Sequence, residues 1–109
     1  MPHAERRREP RIPFFADAEI LDEQHDCRTH SRVRDLSAGG CYVEMNDPFP
    51  PGKNVLIEIY TESEFLETHA TVAFLEPNQG MGLTFSVMQP FFLAILNKWL
   101  AQATLGPTH

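Results

Sequence analysis

Two short patterns in the chain carry residue types able to bind a charged, flat ligand. The first is Arg7-Arg8-Glu9-Pro10-Arg11, an RxxxR spacing with a unique register, because Pro10 stands four residues after Arg6 and Ile12 four after Arg8. The second is Asp35-Leu36-Ser37-Ala38-Gly39-Gly40, a DxSxxG pattern. A guanidinium is a planar fork of donors that matches the O6 and N7 acceptors of guanine with two parallel hydrogen bonds, so Arg7 or Arg11 can read that edge. The opposite edge offers N1–H and N2–H donors, for which an ionised carboxylate such as Asp35 is the natural bidentate acceptor. Adenine would set a donor against the arginine and an unprotonated N1 against the carboxylate, so a site built this way rejects it. Ser37 adds a hydroxyl able to donate to a phosphate or base oxygen. Gly39 and Gly40 are expected to give the turn left-handed dihedrals and to let a ligand approach the backbone. Taken singly, RxxxR reads equally as a solvated basic tail and DLSAGG as an ordinary β-turn; the pair carries the nucleotide reading.

The charge distribution favours a small anion over a large one. The chain has 109 residues and a formal net charge of -6, yet seven of its nine Lys and Arg residues fall within residues 1–34, leaving Lys53 and Lys98 as the later cations. Arg6, Arg7, Arg8 and Arg11 border an N-terminus without apolar periodicity, which reads as a mobile cationic arm over residues 1–11. Most of the remaining surface is acidic and would repel DNA or RNA, whereas four arginines can close over a compact phosphorylated ligand. A β-barrel binding single-stranded RNA would need an aromatic and basic face. Arg32 and Arg34 lie on one face of a strand and could extend the cationic surface, or could be plain solvated positions.

Catalytic and metal signatures are missing from the sequence. It contains no HExxH, GxSxG, GxxxxGK[ST] or GxGxxG pattern. The histidines His3, His25, His30, His69 and His109 lack ligand spacing, and Glu58, Glu62, Glu64 and Glu67 read as a solvated acidic loop around a strand turn. Cys27 and Cys41, with no CxxC, read as core thiols. No enzyme, cofactor or metal site is expected. The apolar stretch Phe91 to Leu96 falls far short of the roughly 20 residues that span a bilayer, and Arg6 to Arg8 are followed by Glu9, Pro10 and Arg11 rather than by a secretory apolar run. The expectation is a cytoplasmic protein without membrane insertion.

The elements that must position these residues read as strands followed by one helix. At 42% hydrophobic and 22% charged, the composition is that of a single globular domain. From Ile12, Phe14, Ala16, Ala18 and Ile20 alternate with Phe15, Asp17 and Glu19, a strand ending at a turn over Leu21 to Asp26. Cys27, Thr29, Ser31 and Val33 alternate with Arg28 to Arg34 in a second, and Cys41, Val43 and Met45 with Tyr42 and Glu44 in a third. Breakers at Asn46-Asp47-Pro48 and Pro50-Pro51-Gly52 separate these from strands at Val55 to Tyr60, Leu66 to Leu75 and Gly82 to Val87. Six strands at this spacing predict a closed or nearly closed antiparallel barrel over residues 12–88. Phe92, Ile95, Leu96, Trp99, Leu100 and Ala103 then recur at helical spacing after Pro90, predicting a C-terminal helix over 89–105, stopped by Gly106-Pro107, that plugs the barrel or forms a homodimer seam.

With both motifs in place on an all-β chain ending in a helix, the sequence resembles the PilZ domain family, whose members bind cyclic di-GMP through RxxxR and [D/N]xSxxG motifs. The likeness extends from the arginine-rich start through Asp35 to a Gly82-Leu83-Thr84-Phe85 strand and the terminal helix. It implies a six-stranded antiparallel barrel of split-barrel type and a cyclic di-GMP site built from Arg6, Arg7, Arg8, Arg11, Asp35, Ser37, Gly39, Gly40 and Gly82. Gly82 matches a family glycine near the ligand, or else serves tight strand packing. Arg6 stands just before RxxxR, where family members often take an intercalated ligand dimer; four arginines would then face four phosphate charges. The implied function is a stand-alone receptor, monomeric or weakly dimeric, that orders its arm on binding and relays the signal to a downstream protein. The alternative is a non-enzymatic interaction adaptor of the same fold with weak or no nucleotide binding.

Overall fold

The computed structural model describes residues 10–105, with side chains over 10–103. Arg6, Arg7 and Arg8, most of the 1–11 arm and the Gly106-Pro107 stop lie outside the described residues. Six antiparallel strands, β1 (Ile12–Asp22), β2 (Cys27–Leu36), β3 (Gly40–Glu44), β4 (Asn54–Tyr60), β5 (Phe65–Glu76) and β6 (Gly80–Phe85), close into a barrel in the order β1-β2-β3-β6-β5-β4, with β4 pairing back onto β1. Closure leaves no free sheet edge. The helix α1 (Pro90–Leu105) follows.

Alternation builds the core. Ala18 and Ile20 of β1, Val33 of β2, Val43 of β3, Ile57 and Ile59 of β4, Leu66 of β5 and Met81 of β6 are fully buried. Each large aliphatic among them contributes about 1.5–3 kcal/mol of transfer free energy. On α1, Leu96 and Trp99 enter the same core, where Trp99 stacks on Phe14 with ring centroids 5.3 Å apart. The Trp99 indole N–H donates to Glu64 Oε1 at 3.1 Å while Lys98 Nζ reaches Oε2 at 2.9 Å. These two donors hold the Glu64 carboxyl below its usual range.

Several sequence expectations are corrected at the edges. β1 continues through Leu21 to Asp22, because Asp22 is buried where it accepts from the backbone N–H of Gln24 at 3.1 Å, from His25 Nδ1 at 2.8 Å and pairs with Lys53 at 3.0 Å. Asp26, at φ 52°, completes that hairpin. β6 begins at Gly80 and ends at Phe85 rather than running from Gly82 to Val87. Cys41 is a core thiol, pushed up to about 12 by burial, but Cys27 is exposed, since it opens β2 at the hairpin mouth. Glu58, Glu62, Glu64 and Glu67 do not form one acidic loop. Glu58 and Glu67 face each other across β4 and β5, while Glu64 is tied to the helix.

Three register shifts decide what faces outward near the DxSxxG turn. β1 pairs Pro13 with Asp35 and then Ala16 with Val33. β2 pairs Val33 with Val43 and then Asp35 with Tyr42. β5 pairs Val72 with Leu83 and then Phe74 with Gly82. A bulge reverses the facing of every residue beyond it. Val33 and Leu36 are both buried, so Arg34 and Asp35 between them both reach the outer side. The same device after Val72 turns Phe74 outward, whereas strict alternation would have placed it in the core.

Candidate functional site

Arg11 directly precedes β1, and Asp35 lies opposite Pro13 on β2, so the last arginine of the first motif meets the second motif where these strands start and finish. Arg11 Nε lies 3.5 Å from Asp35 Oδ1, with side chains 44% and 32% exposed. That oxygen is itself buried and has no hydrogen-bond partner among the described residues. A buried carboxylate oxygen without a donor is costly, about 1–3 kcal/mol or more, and marks a place where a donor is wanted.

Beside this pair opens a cleft of about 300 Å³ bounded by Arg34, Tyr42, Phe74, Glu76 and Gln79 as well as Arg11 and Asp35, at the lower end of ligand-site volumes. Its wall is aromatic. Phe74 and Tyr42 stand with ring centroids 6.2 Å apart, and the Arg34 guanidinium lies 5.6 Å from the Tyr42 centroid. The Tyr42 hydroxyl donates to Glu76 Oε1 at 2.5 Å. Burial, reinforced by the Glu76 carboxylate, pushes the phenol up to about 12, so it stays a neutral donor. Arg34 also pairs with Glu44 at 3.6 Å. A second, wider groove of about 850 Å³ shares Arg34 and Gln79 with the cleft and runs past Arg32, Ser31 and Met45.

The glycines and Ser37 act differently from the sequence expectation. Neither Gly39 nor Gly40 takes a positive φ; among the described glycines only Gly52 does, at 91°. Gly40 is required for close approach, because a Cβ there would sit 2.0 Å from the Leu83 carbonyl oxygen across β3 and β6. The Ser37 hydroxyl is buried and engaged within its own turn. It accepts from the N–H of Gly39 at 3.3 Å and of Gly40 at 3.1 Å, and donates to the Gly40 carbonyl. Thr61 builds the β4–β5 turn with the same set of bonds to Ser63 and Glu64. The serine motif is therefore a turn device that holds Asp35 in place. Gly82 lies beneath Phe74, with its absent Cβ only 2.2 Å from the ring's Cε1, so it reaches the cleft through the aromatic ring that it seats.

The model of one family, the PilZ domain, matches residues 5–102. The chain belongs to the PilZ domain family. Its barrel is similar to the PilZ domain of YcgR from Escherichia coli with c-di-GMP, at 16% identity, covering 92% of each chain with a TM-score of 0.76. It is also similar to the Bacillus subtilis inhibitor of motility MotI/DgrA at 23% identity and TM-score 0.77, covering 94% of this chain and 53% of that one. This chain thus spans about half the length of that protein. The PilZ domain of CeSA from a cellulose-synthesizing bacterium aligns at 22% identity and TM-score 0.67, covering 84% of this chain and 98% of the other. A search of curated proteins by sequence finds no match. At these identities the solved PilZ structures establish the fold.

Within this PilZ barrel, Arg11 and Asp35 come together, Ser37, Gly39 and Gly40 form the adjoining turn, and Gly82 underlies the cleft wall. Arg6, Arg7 and Arg8 lie outside the described residues. Sequence reasoning missed Tyr42, Phe74, Glu76 and Gln79 as cleft residues. Nothing local signals Phe74, because Val72-Ala73-Phe74-Leu75 is one continuous apolar run and the outward turn comes from the register shift between Val72 and Phe74. Among the described residues no group of three or more His, Cys, Asp or Glu could hold a metal, and no helix is long and apolar enough to cross a membrane.

Proposed function

We propose that this chain is a non-enzymatic receptor for cyclic di-GMP and binds it at the Arg11–Asp35 cleft. The observation that carries this reading is the buried oxygen of Asp35, which pairs with Arg11 but has no hydrogen-bond donor among the described residues, at the mouth of an aromatic cleft. Guanine supplies what both groups lack: N1–H and N2–H for the carboxylate, O6 and N7 for a guanidinium. The existing Arg11–Asp35 contact is an exposed pair worth about 0–1 kcal/mol, whereas each charge-assisted hydrogen bond to a base is worth about 1.5–3 kcal/mol. Exchanging the one for the others is favourable. Tyr42, Phe74 and Arg34 give a flat base apolar and cationic surfaces to lie against. That the PilZ domain of YcgR holds c-di-GMP supports the same ligand here.

In this reading Arg6, Arg7 and Arg8 close with Arg11 over the phosphates, and four arginines match an intercalated pair of ligands. Ordering residues 1–11 costs about 1–2 kcal/mol of backbone entropy per residue, which the phosphate contacts offset, so the arm folds over the barrel when ligand binds. A downstream cytoplasmic protein then reads its position, with the receptor acting as a monomer or weak homodimer. The test is calorimetric titration with cyclic di-GMP and cyclic di-AMP in parallel, with amide exchange over Arg6 to Arg11 reporting the arm. Silence toward both nucleotides would leave the interaction adaptor.

A further inference from the structure

A second surface, on the β4–β5 side of the barrel, lies outside the Arg11–Asp35 cleft. Four aromatic rings run together from the sheet onto the helix. Tyr60 stacks with Phe65 at 6.2 Å, Phe65 meets Phe92 at 5.8 Å, and Phe92 meets Phe91 edge-on at 5.3 Å. Phe65 is 44% exposed and Phe91 69%. Single exposed apolar residues need no explanation, but a contiguous group of rings does.

Charge says what covers it. Glu19, Glu58 and Glu67 form one row across β1, β4 and β5, and Asp17 pairs in register with Tyr60, which pairs with Phe65. Glu19 has Arg28 at 3.1 Å. Glu58 accepts the Tyr60 hydroxyl and faces Glu67 directly, and burial together with Glu58 raises the Glu67 carboxyl above its usual range. Like charges opposed on neighbouring strands destabilise a sheet, so this pairing works against the isolated barrel. A second copy of the chain, with net charge -6, would set the acidic row against itself in a two-fold contact, and an anionic bilayer would be repelled by the same carboxylates. Only a cationic occupant gains from both features, because a guanidinium stacks on an aromatic face while pairing with a carboxylate.

We propose that the face formed by Tyr60, Phe65, Phe91 and Phe92, with Glu58 and Glu67 beside it, is a docking surface for an arginine-bearing amphipathic segment of a partner protein. The rings take its apolar side chains and the carboxylates its guanidiniums. The full chain, isotopically labelled, is titrated with a synthetic peptide of repeated Arg-Leu-Leu-Arg units and with its Glu-Leu-Leu-Glu counterpart. The arginine peptide is expected to shift the amides of Tyr60, Phe65 and Phe91, and the glutamate peptide to leave them unmoved. Phe91→Ser, at an exposed position that folding does not need, and Glu58→Gln with Glu67→Gln should each weaken the arginine peptide about tenfold, with cyclic di-GMP titration unchanged. Equal binding of both peptides, undiminished binding by Phe91→Ser, or self-association or uptake by phosphatidylglycerol vesicles that Phe91→Ser abolishes would each overturn the assignment.

Discussion

Adding one methyl group at two glycines should have opposite consequences. At Gly40 the new Cβ would stand 2.0 Å from the Leu83 carbonyl oxygen and 3.1 Å from its carbon, both backbone atoms of the paired strand β6. Neither can move without parting β3 from β6, so Gly40→Ala should cost about 3 kcal/mol or more, a fall in Tm of roughly 12–24 °C at about 4–8 °C per kcal/mol for a domain of this size. At Gly82 the Cβ would meet Cε1, Cζ and Cδ1 of Phe74 at 2.2, 2.5 and 2.8 Å. That ring is 42% exposed and can swing into solvent. Its displacement is partly offset by the roughly 0.5–1 kcal/mol that alanine gains over glycine within a strand. Gly82→Ala should therefore remain within about 1 kcal/mol of the parent in stability, yet lose cyclic di-GMP affinity because Phe74 leaves the cleft wall. Thermal unfolding by circular dichroism and nucleotide calorimetry on the same samples separate the two effects. A Gly40→Ala protein as stable as the parent, or a Gly82→Ala protein that unfolds as early as Gly40→Ala, would mean that backbone contact at Gly40 and ring contact at Gly82 do not set these costs.

Asp35→Ala should weaken cyclic di-GMP by about one to two decades, the equivalent of roughly 1.5–3 kcal/mol, while Tm without ligand holds or rises, because a buried oxygen without a donor is removed; normal calorimetric affinity would remove Asp35 from the site. The parent should take two ligands per chain at saturation and Arg6→Leu only one, so a 1:1 endpoint with Arg6 intact counts against the four-arginine arrangement. Asp22 is lowered from 3.8 to about 2 by the His25 hydrogen bond, with Lys53 assisting. A depressed carboxyl gives its stability in full above its unfolded value and loses it as pH falls through the folded one, so acid unfolding between about pH 4 and 2 should be flatter in Asp22→Asn. An unchanged slope would mean that the Asp22–His25–Lys53 cluster is not what acid breaks.

How much of this was legible in the sequence depends on where period-two alternation holds. It holds in β4, where Val55, Ile57 and Ile59 are inward and Glu58 outward, and there the strand was readable throughout. It fails at the bulges, and the cleft lies among them. The run Val33-Arg34-Asp35-Leu36 placed its apolar residues three apart, which is why Asp35 and Arg34 share the outer side and why Tyr42, opposite Asp35, becomes a wall of the cleft. Phe74 was equally hidden, because a phenylalanine in an apolar run reads as core until the register shift at Ala73 is known. The motif residues were found by type and spacing, but their division of labour was not. Only coordinates show that Ser37 spends its hydroxyl on its own turn, that Gly40 answers to Leu83 across a strand pair, and that Gly82 seats a ring. The Glu58–Glu67 opposition also needs the β4–β5 register, which no local pattern encodes.

Whether Arg11 and Asp35 select guanine is decided by isothermal titration of the full chain with cyclic di-GMP and cyclic di-AMP at the same salt concentration. Saturable heat is expected with cyclic di-GMP and binding of cyclic di-AMP weaker by about a hundredfold or more, since adenine replaces the O6 acceptor with an amino donor and offers the carboxylate neither N1–H nor N2–H. Equal affinity for the two nucleotides, or no heat from either, would contradict that selection.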